Sequence, residues 1–291
     1  MPRALRQNLW IYLTLIPPFA LLFTFTLIPI VRSFLLSFQE WTIRESAWIG
    51  MGNFVRLSAD PVFFKALTNT LLYTVAVVPL STIIALGLAE LIRPLPAAVQ
   101  TFFKAAFYLP AVVAAVVIVL VWRWIYNPNS YGLLNYLLSR LGYSPVLWLQ
   151  EVKLALPALT ATSLIGGHGG SVVLLLAAMG SIPKHLYESA RLDGSSRWAE
   201  FWYITVPLLK PTLLYLVVLG TIGSFQVFVG IFLLTNGGPN YATTTSVFYI
   251  YRVGFVHFEF GYASAQAVIL FLIIMLFSAL LFRSLSSEVE Y

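Results

Sequence analysis

Cysteine is absent from all 291 residues. Disulfides, thiolate nucleophiles and cysteine-bound zinc are thereby excluded. Charge is scarce as well: charged side chains make up 10% of the chain, against about 25% in soluble domains. The three histidines, His168, His185 and His257, stand far apart, with no carboxylate companions at metal-ligand spacing, so no metal site is expected. No Gly-x-x-x-x-Gly-Lys-Ser/Thr phosphate loop occurs, which removes that route to ATP binding. The long apolar runs carry no carboxylate at mid-span, which speaks against proton-coupled transport. A membrane enzyme would need a nucleophile–base or acid set, and none can be assembled. The chain is therefore read as no enzyme, with no cofactor of its own.

What remains is apolar. Hydrophobic residues form 59% of the chain, and the mean hydropathy is +0.86. Six runs approach or exceed the roughly 20 residues that a bilayer requires: Trp10–Ile30, Leu67–Ile92, Ala105–Val121, Leu156–Met179, Thr212–Thr235 and Tyr262–Phe282. Backbone groups in lipid find no water, so each run is predicted to be a helix. Pro17, Pro18, Pro29, Pro79 and Pro110 should kink or end these spans. The short basic stretch Met1–Asn8 precedes a run too long for a signal-peptide core, so a retained first span is expected. A net charge of +6 fits basic loops facing the cytoplasm and anionic lipid, not nucleic acid. With both termini inside, nine Lys and Arg face inward and eight outward, Arg44 among the latter. Their density in the short inner loops favours that orientation. All eight tryptophans fall near span ends, as interfacial anchors do. Arg123, between Trp122 and Trp124, is expected to snorkel outward.

Between the fourth and fifth runs lies Ser181–Pro207, where Lys184, Glu188, Arg191, Asp193, Arg197 and Glu200 crowd together. It follows thirty residues without a charge, Leu154–Pro183. So dense a polar island needs water, and its charges suit a protein partner. Its pattern reads helix, sharp turn, helix. Ser181 is placed to cap the first helix with Pro183 in its first turn. Asp193-Gly194 should end it, with glycine in the left-handed conformation. Ser195 or Ser196 should cap a second helix carrying Trp198, Phe201 and Trp202, and Pro207 opens the next span.

Glu188-Ser189-Ala190, then Asp193-Gly194-Ser195, then Ile204-Thr205-Val206-Pro207 resembles the coupling loop of binding-protein-dependent ABC importer permeases. That loop reads E-A-A-x-x-D-G-A followed by I-x-x-P; two alanines are serines here. The external loops add Gly-x-x-Asn-Phe ending at Asn53-Phe54, Asp60-Pro61-x-Phe63, and Asn69-Thr70. Gly132-x-x-Asn135 and Leu234-Thr235-x-Gly237-Gly238-Pro239 follow. This order resembles the carbohydrate-uptake branch, of maltose or glycerol-phosphate type. Residues 132–138 are expected to form a short amphipathic surface helix, and Gly-Gly-Pro to stop the fifth span.

The resemblance implies an all-α integral membrane fold of six transmembrane helices, type I, N-in and C-in. It implies one permease domain over 1–291, with the coupling loop at 181–207, in a bacterial or archaeal cytoplasmic membrane. Implied partners are a homologous second permease, two ATP-binding subunits, an extracytoplasmic solute-binding protein, a sugar and the bilayer. Coupling falls to Glu188, Ser189, Ala190, Asp193, Gly194 and Ser195. Two intramembrane polar sites bear on the substrate path. Gly166-Gly167-His168-Gly169-Gly170 weakens span four; His168 there either lines a path or sits in close helix packing. Ser224-Phe225-Gln226 in span five puts an amide inside the membrane, where it must find a partner. That partner is a sugar, as in the resembling subunits, or a neighbouring helix. Tyr126 is a weaker candidate, with Asn69 and Thr70. A glycerol-phosphate or polyol substrate stays open, as does the rival class of a stand-alone secondary transporter.

Overall fold

The computed structural model describes residues 9–43 and 45–285. The basic stretch Met1–Asn8, with Arg3 and Arg6, and also Arg44 lie outside the described residues. The chain begins with α1 (Leu9–Leu22), a π-helical turn (Phe23–Leu27) and α2 (Ile28–Leu36). A hairpin of β1 (Gln39–Trp41) and β2 (Ser46–Trp48) leads to α3 (Gly52–Ser58) and the long α4 (Pro61–Ile92). Then come α5 (Ala97–Val112), α6 (Ala115–Ile125), α7 (Leu133–Arg140), α8 (Ala155–Ile165) and α9 (Gly169–Ser181). The polar island forms α10 (Lys184–Leu192) and α11 (Arg197–Glu200), with a π-helical turn over Phe201–Thr205. The chain closes with α12 (Val206–Leu208), α13 (Lys210–Phe225), α14 (Val229–Leu234), α15 (Ser246–Tyr251) and α16 (Phe260–Leu285), with a further π-helical turn at Arg252–Val256.

Among the described residues, four segments can cross a membrane by length and composition: Leu13–Leu36, Pro61–Ile92, Lys210–Leu234 and Phe260–Ser284. The other two expected spans are not single helices. The third breaks between α5 and α6 by 93°, and the fourth between α8 and α9 by 46°. Each bent pair counted as one crossing gives six. The breaks have local causes. Pro110 removes a helical donor shortly before Val113 and Ala114 turn extended. Gly166 is extended and Gly167 takes φ +93°, conformations that cost glycine little. Pro79, expected to kink or end its span, lies inside the uninterrupted α4.

Two compact units divide the chain. The first comprises residues 1–61 and 250–271. The β1–β2 hairpin pairs Gln39 with Trp48 and Trp41 with Ser46. Buried Asn53 holds it by donating its amide to the carbonyls of Ser37 (3.0 Å) and Gln39 (2.8 Å). Gly261 lets the start of α16 press on this hairpin, because a Cβ there would fall 1.9 Å from the Gln39 carbonyl oxygen. Arg56 pairs with Glu259 at 2.6 Å and lies over the Tyr262 ring. The Tyr262 hydroxyl donates to Asp60.

The second unit comprises residues 62–249 and 272–291. Its inner core joins α4, through Ala85, Ala89 and Ile92, to α9, through Val172, Leu175 and Met179. Alanines at such contacts let backbones approach, which is how helices gain packing where lipid is as apolar as leucine. Gly169 serves the same end: a Cβ there would lie 2.4 Å from the Phe107 carbonyl oxygen of α5.

Candidate functional site

Two polar constructions stand out in the second unit. The first is the hairpin α10–α11. Pro183 occupies the N-cap of α10. Contrary to expectation, Ser181 does not cap it; Ser181 ends α9 and donates back to the Ala178 carbonyl, because the chain leaves α9 before it enters α10. At the other end Asp193 is the C-cap and Gly194 has φ +78°. The Gly194 amide donates to Arg191 and the Ser195 amide to Ala190, a complete Schellman closure. Ser196 caps α11 by accepting from the Ala199 amide at 3.2 Å.

The hairpin is closed by a pair that the sequence reading did not single out. The Arg191 guanidinium donates to both carboxylate oxygens of Glu200, at 2.8 and 3.2 Å. The Glu200 side chain is 2% exposed. Arg191's hydrogen bond holds the Glu200 carboxyl below the usual glutamate range, against burial, and Glu200 in turn raises Arg191. A nine-residue spacing of opposite charges across Asp193-Gly194 was the available signal. The hairpin is tied to the end of α4 by Arg93. That guanidinium donates to Glu90 (2.8 Å), Tyr187 (3.0 Å) and Thr205 (3.4 Å), and Tyr187 and Thr205 share a further bond at 2.9 Å. Glu188, Ser189, Asp193 and Gly194 are exposed, and Ala190 and Ser195 half-buried. Beside them stand apolar side chains with nothing over them: Leu192 is 90% exposed, Trp198 70% and Tyr203 83%.

The second construction is the outer cap. Buried Asn135 of α7 donates to the carbonyls of Asn127, Pro128 and Val146, and its oxygen accepts from the Val146 amide and the Trp148 indole. So α7, expected on the surface, is anchored by its asparagine. Asn69 of α4 donates to the carbonyls of Tyr241 (2.8 Å) and Thr244 (2.9 Å), and Thr70 bonds Ser246. Thr243 and Thr244 donate to Gly238 and Gly237.

The intended substrate-path residues are not brought together as one pocket. Ser224 donates to Thr74 and to its own turn. Phe225 is fully buried against Phe277. The His168 ring bonds the Leu164 carbonyl of its own chain segment. The Tyr126 hydroxyl donates to the Ala158 carbonyl at 2.8 Å, and its ring stacks on buried Trp122. Gln226 is the exception. It was expected as a buried amide requiring a partner, but it caps the C-terminus of α13 at the break before α14 and its side chain is exposed. The break, which no single residue announces, carries it there.

Comparison with known proteins agrees with this architecture. The family model described as "Binding-protein-dependent transport system inner membrane component" matches residues 77–291. The probable ABC transporter permease protein YurN of Bacillus subtilis (strain 168) is 36% identical over 272 residues, 92% of each chain. The lactose transport system permease protein LacF of Rhizobium radiobacter is 31% identical, covering 94% of this chain and 93% of its own. A bacterial ABC transporter that imports the acidic polysaccharide alginate has been solved; one of its chains superposes with a TM-score of 0.84 at 26% identity, covering 98% of this chain and 99% of that one. The chain belongs to the family of binding-protein-dependent transport system inner membrane components, the membrane-spanning permeases of ABC importers.

Proposed function

We propose that this chain is one of two permease subunits lining the path of an ATP-driven importer of di- or oligosaccharides. It lies in the cytoplasmic membrane of its cell with both termini inside, as a single permease domain over 1–291. Hydrolysis takes place in two partner ATPases, and an extracytoplasmic binding protein delivers the sugar. Relatives named for lactose and arabinooligosaccharides and the alginate importer support a saccharide. The observation that carries the coupling role is the hairpin. It is braced internally by Arg191–Glu200, bound to α4 through Arg93, and still exposes Leu192, Trp198 and Tyr203. A rigid charged element with uncovered apolar side chains suits docking into a cleft of a cytosolic subunit. Residues 181–207 are thus the coupling loop, with Glu188, Ser189, Ala190, Asp193, Gly194 and Ser195 at its contact edge. ATPase closure moves this lever and α4 with it. On the substrate path we retain Gln226, the one candidate with a free side chain at mid-span.

The test is assembly and transport. The chain is purified from its native membrane with whatever subunits accompany it, and reconstituted in vesicles with a panel of neutral and acidic disaccharides. Co-elution of an ATPase, and uptake that requires ATP, are expected. Transport by the chain alone, or uptake indifferent to ATP, would overturn the reading.

A further inference from the structure

The asparagine of the Gly132-x-x-Asn135 motif does more than anchor a short helix. Its five bonds join the 127–128 and 146–148 segments, and these are two walls of a cavity of about 450 Å³ at the outer end of α6. Gly132 belongs to the same construction: a Cβ there would lie 2.3 Å from the Asn127 carbonyl oxygen. The lining includes Arg123, Tyr126, Asn127, Trp148, Gln150 and Thr235. The volume falls within the range of small-ligand sites, about 300–1,000 Å³.

The walls are rigid. Trp148 is held by its indole N–H on Asn135, Tyr126 by its hydroxyl on Ala158, and Thr235 by the Ile231 carbonyl and the Thr243 hydroxyl. The groups that remain available are of a different kind. Arg123 is exposed, forms no ion pair among the described residues, and is the only charged side chain in the lining. Gln150 is exposed beside it. The Asn127 oxygen is engaged by the Asn129 amide, and its side-chain NH₂ is left to donate. A guanidinium and two amides above aromatic walls match a sugar that carries an anionic group. Rings cover the C–H faces, amides bind hydroxyls, and Arg binds a carboxylate or sulfo group through two parallel bonds. Fixed walls lower the entropy lost on binding.

We infer that this outer cavity is a saccharide subsite, at which Arg123 selects sugars bearing a negative charge. The inference rests on the importer reading and adds the substrate class. It makes Arg123 a specificity residue, whereas snorkelling to lipid phosphate would make it an anchor.

The permease–ATPase complex in nanodiscs, without its binding protein, is titrated calorimetrically with cellobiouronate and with cellobiose, which differ only at one C6. The uronate should bind about ten-fold tighter or more, and raising salt from about 50 to 500 mM should weaken it alone. Arg123→Gln should erase the preference, so that the two sugars bind alike and neither responds to salt, while Arg123→Lys keeps part of it. Equal binding of both sugars, binding of neither, or an Arg123→Gln variant that lowers only the amount of inserted complex overturns the subsite. If ATP-driven uptake of neutral disaccharides persists in that case, the importer reading stands without it. If no saccharide is transported at all, the importer reading itself has failed.

Discussion

The coupling hairpin and the outer cap belong to the same compact unit and are held by opposite chemistry. The hairpin is closed by full charges, Arg191 on Glu200, and held to α4 by the Arg93 guanidinium on Tyr187 and Thr205, and its apolar side chains point away uncovered. The cap is held by neutral amides and hydroxyls, Asn69, Asn135, Thr70, Thr243 and Thr244, all buried and all bonded. The Arg191 guanidinium is 61% exposed, so water can take over its charge if the pair opens. Buried amide hubs lose a full desolvation penalty when broken, so they fix a shape. The difference teaches that the hairpin keeps an uncovered apolar face beside charges that water can reach, while the cap is fixed in shape by buried hydrogen bonds.

The comparison can be broken at its inner end by Gly194→Val. A β-branched residue at φ +78° is strained by about 1–2 kcal/mol. Uptake should be lost while insertion, followed by membrane fractionation, stays normal; wild-type transport would sink the coupling role of the turn. Asn135→Leu breaks the outer end. It strands the Trp148 indole and the Val146 amide, so the folded cap should lose on the order of 3 kcal/mol, read as a lowered thermal midpoint of the purified chain. An unchanged midpoint would mean that the hub does not hold the cap.

Gln226→Leu separates transport from structure. Its side chain is exposed, so the melting temperature should stay put, while uptake falls about ten-fold through lost sugar hydrogen bonds. ATP hydrolysis stimulated by the loaded binding protein should persist. Unchanged uptake would move the path elsewhere. Glu200→Gln is expected to be mildest, lowering uptake by no more than about five-fold, because the amide keeps the buried shape and an acceptor while Arg191, 61% exposed, stays solvated. It also sharpens the contrast through pH. Arg191 depresses the Glu200 pKa, so the brace contributes fully above the unfolded glutamate value of about 4.3 and is lost as pH falls through the lower folded value. Amide exchange of residues 191–200 should quicken below that pH in the wild type. Glu200→Gln should exchange fast throughout, and a pH response retained in the variant would rule the brace out.

Much of this was legible because it is local. The Asp193-Gly194 closure needs only a left-handed residue after a helix, and Ser196 needs only a free amide to cap. Asn53, Asn69 and Asn135 stood out as motif positions, but their role did not: all three are buried and bind backbone carbonyls of other segments. Pro110 announced the break at 113–114, whereas the one at 226–228 escaped because hydropathy continues across it. Ser224, Phe225, His168 and Tyr126 looked like pore candidates because polarity and aromatics within a span are conspicuous. Only the contacts reveal that each is already engaged.

By itself the sequence determined that the chain spans a membrane and that Ser181–Pro207 forms a charged helical hairpin. Those follow from composition and from interactions within a few residues, where lipid forces backbone bonds to close locally. The tertiary structure alone decided which polar side chains remain free. It occupied Ser224 with Thr74, Tyr126 with Ala158 and Glu200 with Arg191, and it left Gln226 and Arg123 open. A side chain's availability depends on what distant segments bring within hydrogen-bond reach, and spacing along the chain does not encode that.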